Sequence, residues 1–220
     1  MTMLSERFTA AVDHARIAHT AHTAQTRKGS DIPYLYHLLG VASLVLEYGG
    51  GEDQAIAALL HDVVEDCGEA QVALIRERFG ERVLAIVLGC TDGSAEGKAA
   101  HVDAVAKRCD WLARKQAYLA HLADAADDVL LVSGCDKLHN ARAIVGDLEN
   151  PAVGPTVFGR FTGGRGGTLM YYQLLADLFS HRGLPMAAAL EATVARMYRL
   201  AGEPLPPHGL APGELARAVA

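Results

Sequence analysis

The sequence predicts an all-α protein. Three observations carry that expectation. Apolar residues recur three and four positions apart in segment after segment, Gly and Pro punctuate those segments, and no two alternating runs read as paired strands.

Residues 3–27 place Leu4, Phe8, Ala11, Val12, Ala15 and Ala18 at helical spacing, and Gly29, Ser30 and Pro33 of KGSDIPY end the pattern. A second helix is expected over 35–48, stopped by glycines 49–51, which suit a left-handed C-terminal cap. Glu52 and Asp53 then favour the first turn of a third helix through the backbone dipole, and this helix is expected to run through Leu59 and Leu60 to Val64. Short helices follow at 69–79 and 81–90, separated by Gly80, with TDGSAEG as a loop. Longer helices are expected over 98–125 and 128–149, the second ended by Asn150-Pro151. GPTVFGRFTGGRGG, residues 154–167, reads as a mobile glycine-rich loop. Helices over 168–182 and 185–201 follow, and EPLPPHGLAPGE reads as an extended or disordered tail.

Half of the 220 residues are hydrophobic, enough for a sizeable core, and the formal net charge is −6. That charge argues against general affinity for nucleic acid or anionic membrane, while leaving room for a local basic pocket. Cys67, Cys90, Cys109 and Cys135 are scattered without a CxxC pair, the pattern of reduced thiols rather than a disulfide framework. No secretory leader is read in the polar, amphipathic start, and no apolar run approaches the ~20 residues of a membrane span. A cytoplasmic protein with no nucleic-acid or membrane partner is expected, with oligomerisation left open.

One stretch conflicts with its surroundings. AALLHDVVED, residues 57–66, sets His61, Asp62, Glu65 and Asp66 directly after an apolar helical run. On a helix His61 and Glu65 share one stripe, and Asp62 and Asp66 share the next, about 100° round. Buried carboxylates need partners or a metal, and the segment holds no Lys or Arg. Two further stretches supply candidates: His37 among Leu38, Val41, Leu44 and Val45, and Asp136 after the apolar run Val129–Val132. Read alone, His37 is equally a satisfied core histidine and Asp136 a helix cap. Together, two imidazoles and two carboxylates suit a divalent ion such as Mn, Fe or Zn.

The spacing H…HD…D is similar to that of the HD phosphohydrolases. RKGSDIPYLYHLLGVA, AALLHDVVED, RFGERVLAIVLGCTD and DKLHNAR resemble the hydrolase domain of RelA/SpoT-type alarmone enzymes and the small stand-alone alarmone hydrolases, over roughly residues 8–180. The resemblance implies an HD-domain helical bundle with a buried metal site. It implies that His37, His61, Asp62 and Asp136 bind Mn2+, and that Glu65 and Asp66 activate or orient the attacking water. It also implies that Arg27 and Lys28 lie near the guanine base and phosphates, Asn140 near the ribose, and Tyr171 at the nucleotide pocket. The implied substrate is a small nucleotide, guanosine tetra- or pentaphosphate, which loses its 3′-pyrophosphate. The chain would divide into a hydrolase domain (1–182), a C-terminal helix packed on or appended to it (183–202) and a tail (203–220). Ser133-Gly134-Cys135 stands where the family has Lys-Leu-Ala, and Leu38 where it has Pro, which points toward a less charged nucleotide. Alternatives therefore stay open: an adenine analogue of the alarmone, a nucleoside monophosphate or NADPH as substrate, or a non-catalytic nucleotide sensor. Two other features are set aside. His14, His19 and His22 read as surface or pocket-rim histidines, and GGRGG lacks the lysine and preceding strand of a phosphate loop.

Overall fold

A computed structural model describes residues 3–20, 25–92, 103–209, 211 and 213–219, and the fold is all-α. In chain order the α-helices are α1 (Glu6–Thr20), α2 (Leu35–Glu47), α3 (Glu52–Leu60), α4 (Val63–Cys67), α5 (Ala70–Phe79), α6 (Glu81–Cys90), α7 (Ala104–Asp124), α8 (Asp127–Glu149), α9 (Gly164–His181), α10 (Ala187–Ala201) and α11 (Glu214–Val219). A 3-10 helix covers Gly154–Arg160. Among the described residues the only strand-like feature is an antiparallel bridge between Thr26 and Pro33. No described helix is long and apolar enough to cross a membrane. The chain forms two compact units, Met1–Ala99 with Ala125–Asp136, and Ala100–Asp124 with Lys137–Ala220.

The first unit is built around α3. Ala55 through Leu60 are all buried, so this short helix is apolar on every side, as a central helix must be. It packs against α1, α2 and α6. α2 presents His37, Leu38, Val41, Ala42, Leu44 and Val45 inward. The start of α8 is seated by two close approaches. A Cβ on Gly89 would lie 2.6 Å from Val129 Cγ2, and one on Gly50 would lie 3.2 Å from Leu131 Cδ2. Gln54 fixes the same junction: its amide donates to Asp128 at 2.7 Å. These contacts set where Asp136 falls along α8.

The structure corrects three local expectations. The third helix does not continue to Val64. It ends at Leu60, and α4 begins at Val63. His61 Nδ1 instead donates to the Ala58 carbonyl at 2.8 Å, and Asp62 sits at φ −97°, ψ −5°. His14 and His19 are not surface groups; both face inward from α1. His22 lies outside the described residues. Residues 154–167 are not a loop, since the 3-10 helix and the first turn of α9 occupy them. Residues 203–209 carry no helix, in keeping with the extended reading of EPLPPHG, and a short helix follows at Glu214–Val219, where Leu215 and Val219 find cover.

In the second unit α9 is the centre, packing against α7, the 3-10 helix, α10 and α11. The glycines of GGRGG serve this packing. A Cβ on Gly163 would meet the Trp111 ring at 2.6 Å, and one on Gly166 would meet the Ala218 carbonyl at 2.5 Å.

Two outcomes follow from the first unit. Gly89→Ala pushes Val129 and the start of α8 away and costs about 1–3 kcal/mol; urea denaturation should read this loss, and adding Val129→Ala should recover part of it. His14 is held neutral: Arg78 donates to Nδ1 at 2.8 Å, so the proton sits on Nε2, facing Gln71 Oε1 at 2.9 Å. Burial, with the Arg78 charge, lowers its pKa below 6.5 even though the Gln71 bond opposes. The unfolded chain then binds more protons than the folded one, so stability falls as pH drops below about 6.5 toward the folded pKa. His14→Gln should flatten that slope in denaturation midpoints taken across the acid range.

Candidate metal centre

Three chain segments of the first unit meet at one point. α2 brings His37, the α3–α4 junction brings His61 and Asp62, and α8 brings Asp136. His37 Nε2 lies 3.1 Å from Asp136 Oδ1 and 3.8 Å from Asp62 Oδ2. His61 Nε2 lies 3.1 Å from Asp62 Oδ2 and 3.6 Å from Asp136 Oδ1. The two imidazole rings stand 5.3 Å apart at 68°. Both histidines and Asp136 are buried, and Asp62 is half-buried.

The local geometry of His61 fixes its chemistry. With its Nδ1 proton given to Ala58, Nε2 is left to face the carboxylates. That atom is buried and makes no hydrogen bond of good geometry. Ligand atoms from His37, His61 and Asp62 all lie within 4.8 Å of one another. Donors at about 2 Å from one ion stand roughly 3–4 Å apart, the separations found here. Mixed nitrogen and oxygen donors suit a borderline divalent ion. These residues therefore fit a single metal ion.

The electrostatics point the same way. Burial disfavours the imidazolium of His61, yet Asp62 and Asp136 outweigh it and hold its pKa well above 6.5. Burial lowers the pKa of His37, against the opposing pull of Asp136. Asp62 is pushed upward by burial, but the neighbouring His61 holds its carboxyl far below the usual carboxylate range. The cluster thus concentrates negative potential on the two Nε2 atoms.

The other expected residues divide. Asp66 faces Gln25, whose Nε2 donates to Oδ2 at 2.9 Å. Burial and then Asp62 raise the pKa of Asp66. Glu65 turns to the end of α6, accepting from the Asp92 backbone N–H at 3.3 Å. Both acids lie on α4, where successive side chains point about 100° apart, and so they diverge. Arg27 lies with its guanidinium 5.8 Å from the Tyr34 ring centre, in the turn where its N–H bonds Ile32 O at 2.9 Å. Lys28 is exposed beside it. Asn140 and Tyr171 belong to the second unit. Asn140 is half-buried on α8. Tyr171 is a core residue there, edge-on to Trp111 at 6.2 Å with Lys115 Nζ 5.1 Å from its ring centre.

Two contributors escaped sequence reading. Tyr34 donates its hydroxyl to Asp62 Oδ2 and packs edge-on to His37 at 5.5 Å. Burial, then the charges of Asp62 and Asp66, raise its pKa well above 10, so the phenol keeps its proton. Gln25 is the second. A polar residue next to a basic pair carries no pattern, and only the fold of the 25–34 turn shows what it faces.

An all-helical fold carrying a paired His-Asp at a buried junction, completed by a distant His and Asp, defines a class. A family model described as an HD domain matches residues 11–159, and the chain belongs to the HD-domain family, among its RelA/SpoT-type members. It is 34% identical over 134 residues to the Xenopus tropicalis protein named guanosine-3′,5′-bis(diphosphate) 3′-pyrophosphohydrolase MESH1, covering 60% of this chain and 67% of that one. It is 35% identical over 130 residues to a probable GTP pyrophosphokinase of Mycobacterium leprae, and 32% identical over 127 residues to a probable guanosine-3′,5′-bis(diphosphate) 3′-pyrophosphohydrolase of Synechocystis. The chain spans only 15% and 16% of those two proteins. A solved structure of a metazoan SpoT ortholog superposes with a TM-score of 0.66 at 22% identity, over 92% of this chain and 99% of that one, and shows the shared fold. The HD domain implies a divalent metal, which the buried His–Asp group fits.

Binding to the folded state alone stabilises it, by about 4 kcal/mol at a thousandfold excess over Kd. A tight chelator should therefore lower the melting temperature of the metal-loaded protein. Asp136→Ala should abolish that sensitivity and the bound metal detected by elemental analysis.

Proposed function

We propose that this chain is a metal-dependent phosphohydrolase that removes the 3′-pyrophosphate of guanosine tetra- or pentaphosphate, releasing GDP or GTP and pyrophosphate. The observation that carries the reading is the meeting of His37, His61, Asp62 and Asp136 within 3.1–3.8 Å across three segments of an HD-family chain. These four residues would hold the ion, Mn2+ in the family this chain resembles. Such an ion supplies Lewis acidity toward water and the phosphoryl oxygen.

Everything else falls to the chain's own groups. Asp66, at the open side of the cluster, would take the proton of the attacking water or fix its direction, and Glu65 would assist. Tyr34 holds Asp62 in place. Phosphoryl transfer depends on positioning and charge neutralisation more than on covalent chemistry. Arg27 and Lys28 would supply cationic contacts to base and phosphates, since a guanidinium also stacks flat on a purine. Asn140 and Tyr171 enter the reading through the family resemblance alone. The free thiols of Cys67, Cys90, Cys109 and Cys135 support a reducing, cytoplasmic setting.

A second reading keeps the chemistry and changes the substrate. Ser133 and Cys135 are buried and uncharged beside Asp136, where the family carries a lysine. That favours a nucleotide bearing less negative charge. The Mn-loaded protein should release pyrophosphate from guanosine tetraphosphate. If it leaves that compound intact while cleaving an adenine analogue, a nucleoside monophosphate or NADPH, the second reading replaces the first. Glu65→Gln should cut turnover by about 10²–10⁴-fold while elemental analysis finds the metal content unchanged. A wild-type protein inert toward every nucleotide would favour a sensor.

A further inference from the structure

Gln25 is held unusually tightly for a residue outside a helix. Its N–H bonds His19 O at 3.1 Å, and its carbonyl accepts the Tyr34 N–H at 2.9 Å. Its side chain bridges two titratable groups: Oε1 lies 2.7 Å from His19 Nδ1, and Nε2 lies 2.9 Å from Asp66 Oδ2. An ionised carboxylate only accepts, so the amide NH2 must face Asp66. Oε1 must then face His19, and His19 Nδ1 must carry a proton.

The rest of the His19 environment agrees. Nε2 is buried and makes no hydrogen bond. A proton there would be a buried unsatisfied donor, which costs more than a bare lone pair facing apolar atoms. Among the described residues the other group near Nδ1 is the Cys67 sulfur, 3.9 Å away, a much weaker partner than the amide oxygen. Tyr34 stacks on the ring, with centroids 4.9 Å apart, and prevents it from rotating out.

From this geometry we infer that His19 and Gln25 form a positioning relay for Asp66. His19, as its Nδ1–H tautomer, orients the Gln25 amide, and Gln25 aims the Asp66 carboxylate at the reacting water. The inference rests on the reading of Asp66 as the water-directing acid. Neither relay residue belongs to the group that would hold the ion. Their effect reaches turnover only through the angle at which one carboxylate is held, and displacement of a reacting group by about 1 Å costs roughly 10²-fold.

Two measurements test the relay. Long-range 1H–15N correlation spectra of the full, metal-free chain at neutral pH should show His19 as the Nδ1–H tautomer, shifting toward Nε2–H in Gln25→Met. An Nε2–H tautomer in the wild type overturns the relay before any enzyme is assayed, and needs no variant to fold. In kinetics, Gln25→Met and His19→Leu should lower kcat by roughly tenfold or more, with KM and metal stoichiometry held. His19→Asn should restore most of the loss, because its amide nitrogen replaces Nδ1–H. If His19→Asn falls as far as His19→Leu, His19 only fills space and the relay is wrong. If the wild type turns over and Gln25→Met matches it in kcat, the relay fails while the hydrolase reading stands. If the wild type turns over no nucleotide, the hydrolase reading fails and takes the relay with it.

Discussion

The first unit is organised by one electrostatic constraint. Two imidazoles and two carboxylates are brought to a point inside helices whose other faces are apolar. Asp136 has Leu130, Val132, Cys135 and Leu138 around it in the sequence, all fully buried. An ionised carboxylate in such a place needs a compensating positive charge or several strong donors. The imidazoles of His37 and His61 face both Asp62 and Asp136, and the Tyr34 phenol donates to Asp62. The fold accepts this cost in a specific manner. α3 is apolar all round and ends one residue before His61, so the polar pair emerges at the end of the buried helix rather than within it.

That break explains what sequence could and could not show. His37, His61, Asp62 and Asp136 were legible because each interrupts an apolar pattern, and an interrupted pattern is what periodicity detects. The continuous helix expected through Val64 was wrong because periodicity is blind to a side chain that competes for its own backbone. His61 Nδ1 bonds Ala58 O, and the α-helical ladder does not continue past it. The error had consequences. An unbroken helix would align Glu65 with His61, whereas in the fold Glu65 reaches toward Asp92 and Asp66 toward Gln25.

The misread histidines of α1 follow the same logic. The sequence reads His14 and His19 as surface or pocket-rim residues because α1 has few strongly apolar positions to define its inner face. Each buried ring finds a glutamine amide, Gln71 for His14 and Gln25 for His19. Opposite tautomers result: Arg78 forces the proton of His14 onto Nε2, while the amide oxygen of Gln25 draws that of His19 to Nδ1. Likewise the glycines of 163–167 looked like a loop because Gly is read as a breaker. At Gly166 and Gly167 the missing Cβ instead admits α11 against α9, a long-range demand that no local window contains.

The pKa directions at the centre bear on why a divalent ion suits it better than a proton. Asp62 and Asp136 hold a proton on His61 against complete burial, so the cluster demands positive charge at that point. A proton supplies one charge at one nitrogen and leaves His37, whose pKa is lowered by burial, neutral. It neutralises half of what two carboxylates present. A divalent cation would supply two charges where ligand atoms of His37, His61 and Asp62 already stand close together, and it requires both imidazoles in the neutral form that burial already favours at His37. A proton and a cation would compete for His61 Nε2, so acid would weaken metal binding there. The His61 tautomer set at Ala58 and the Tyr34 hydroxyl bond to Asp62 orient groups that would face the ion, the first from the end of the apolar helix α3 and the second from the turn before α2.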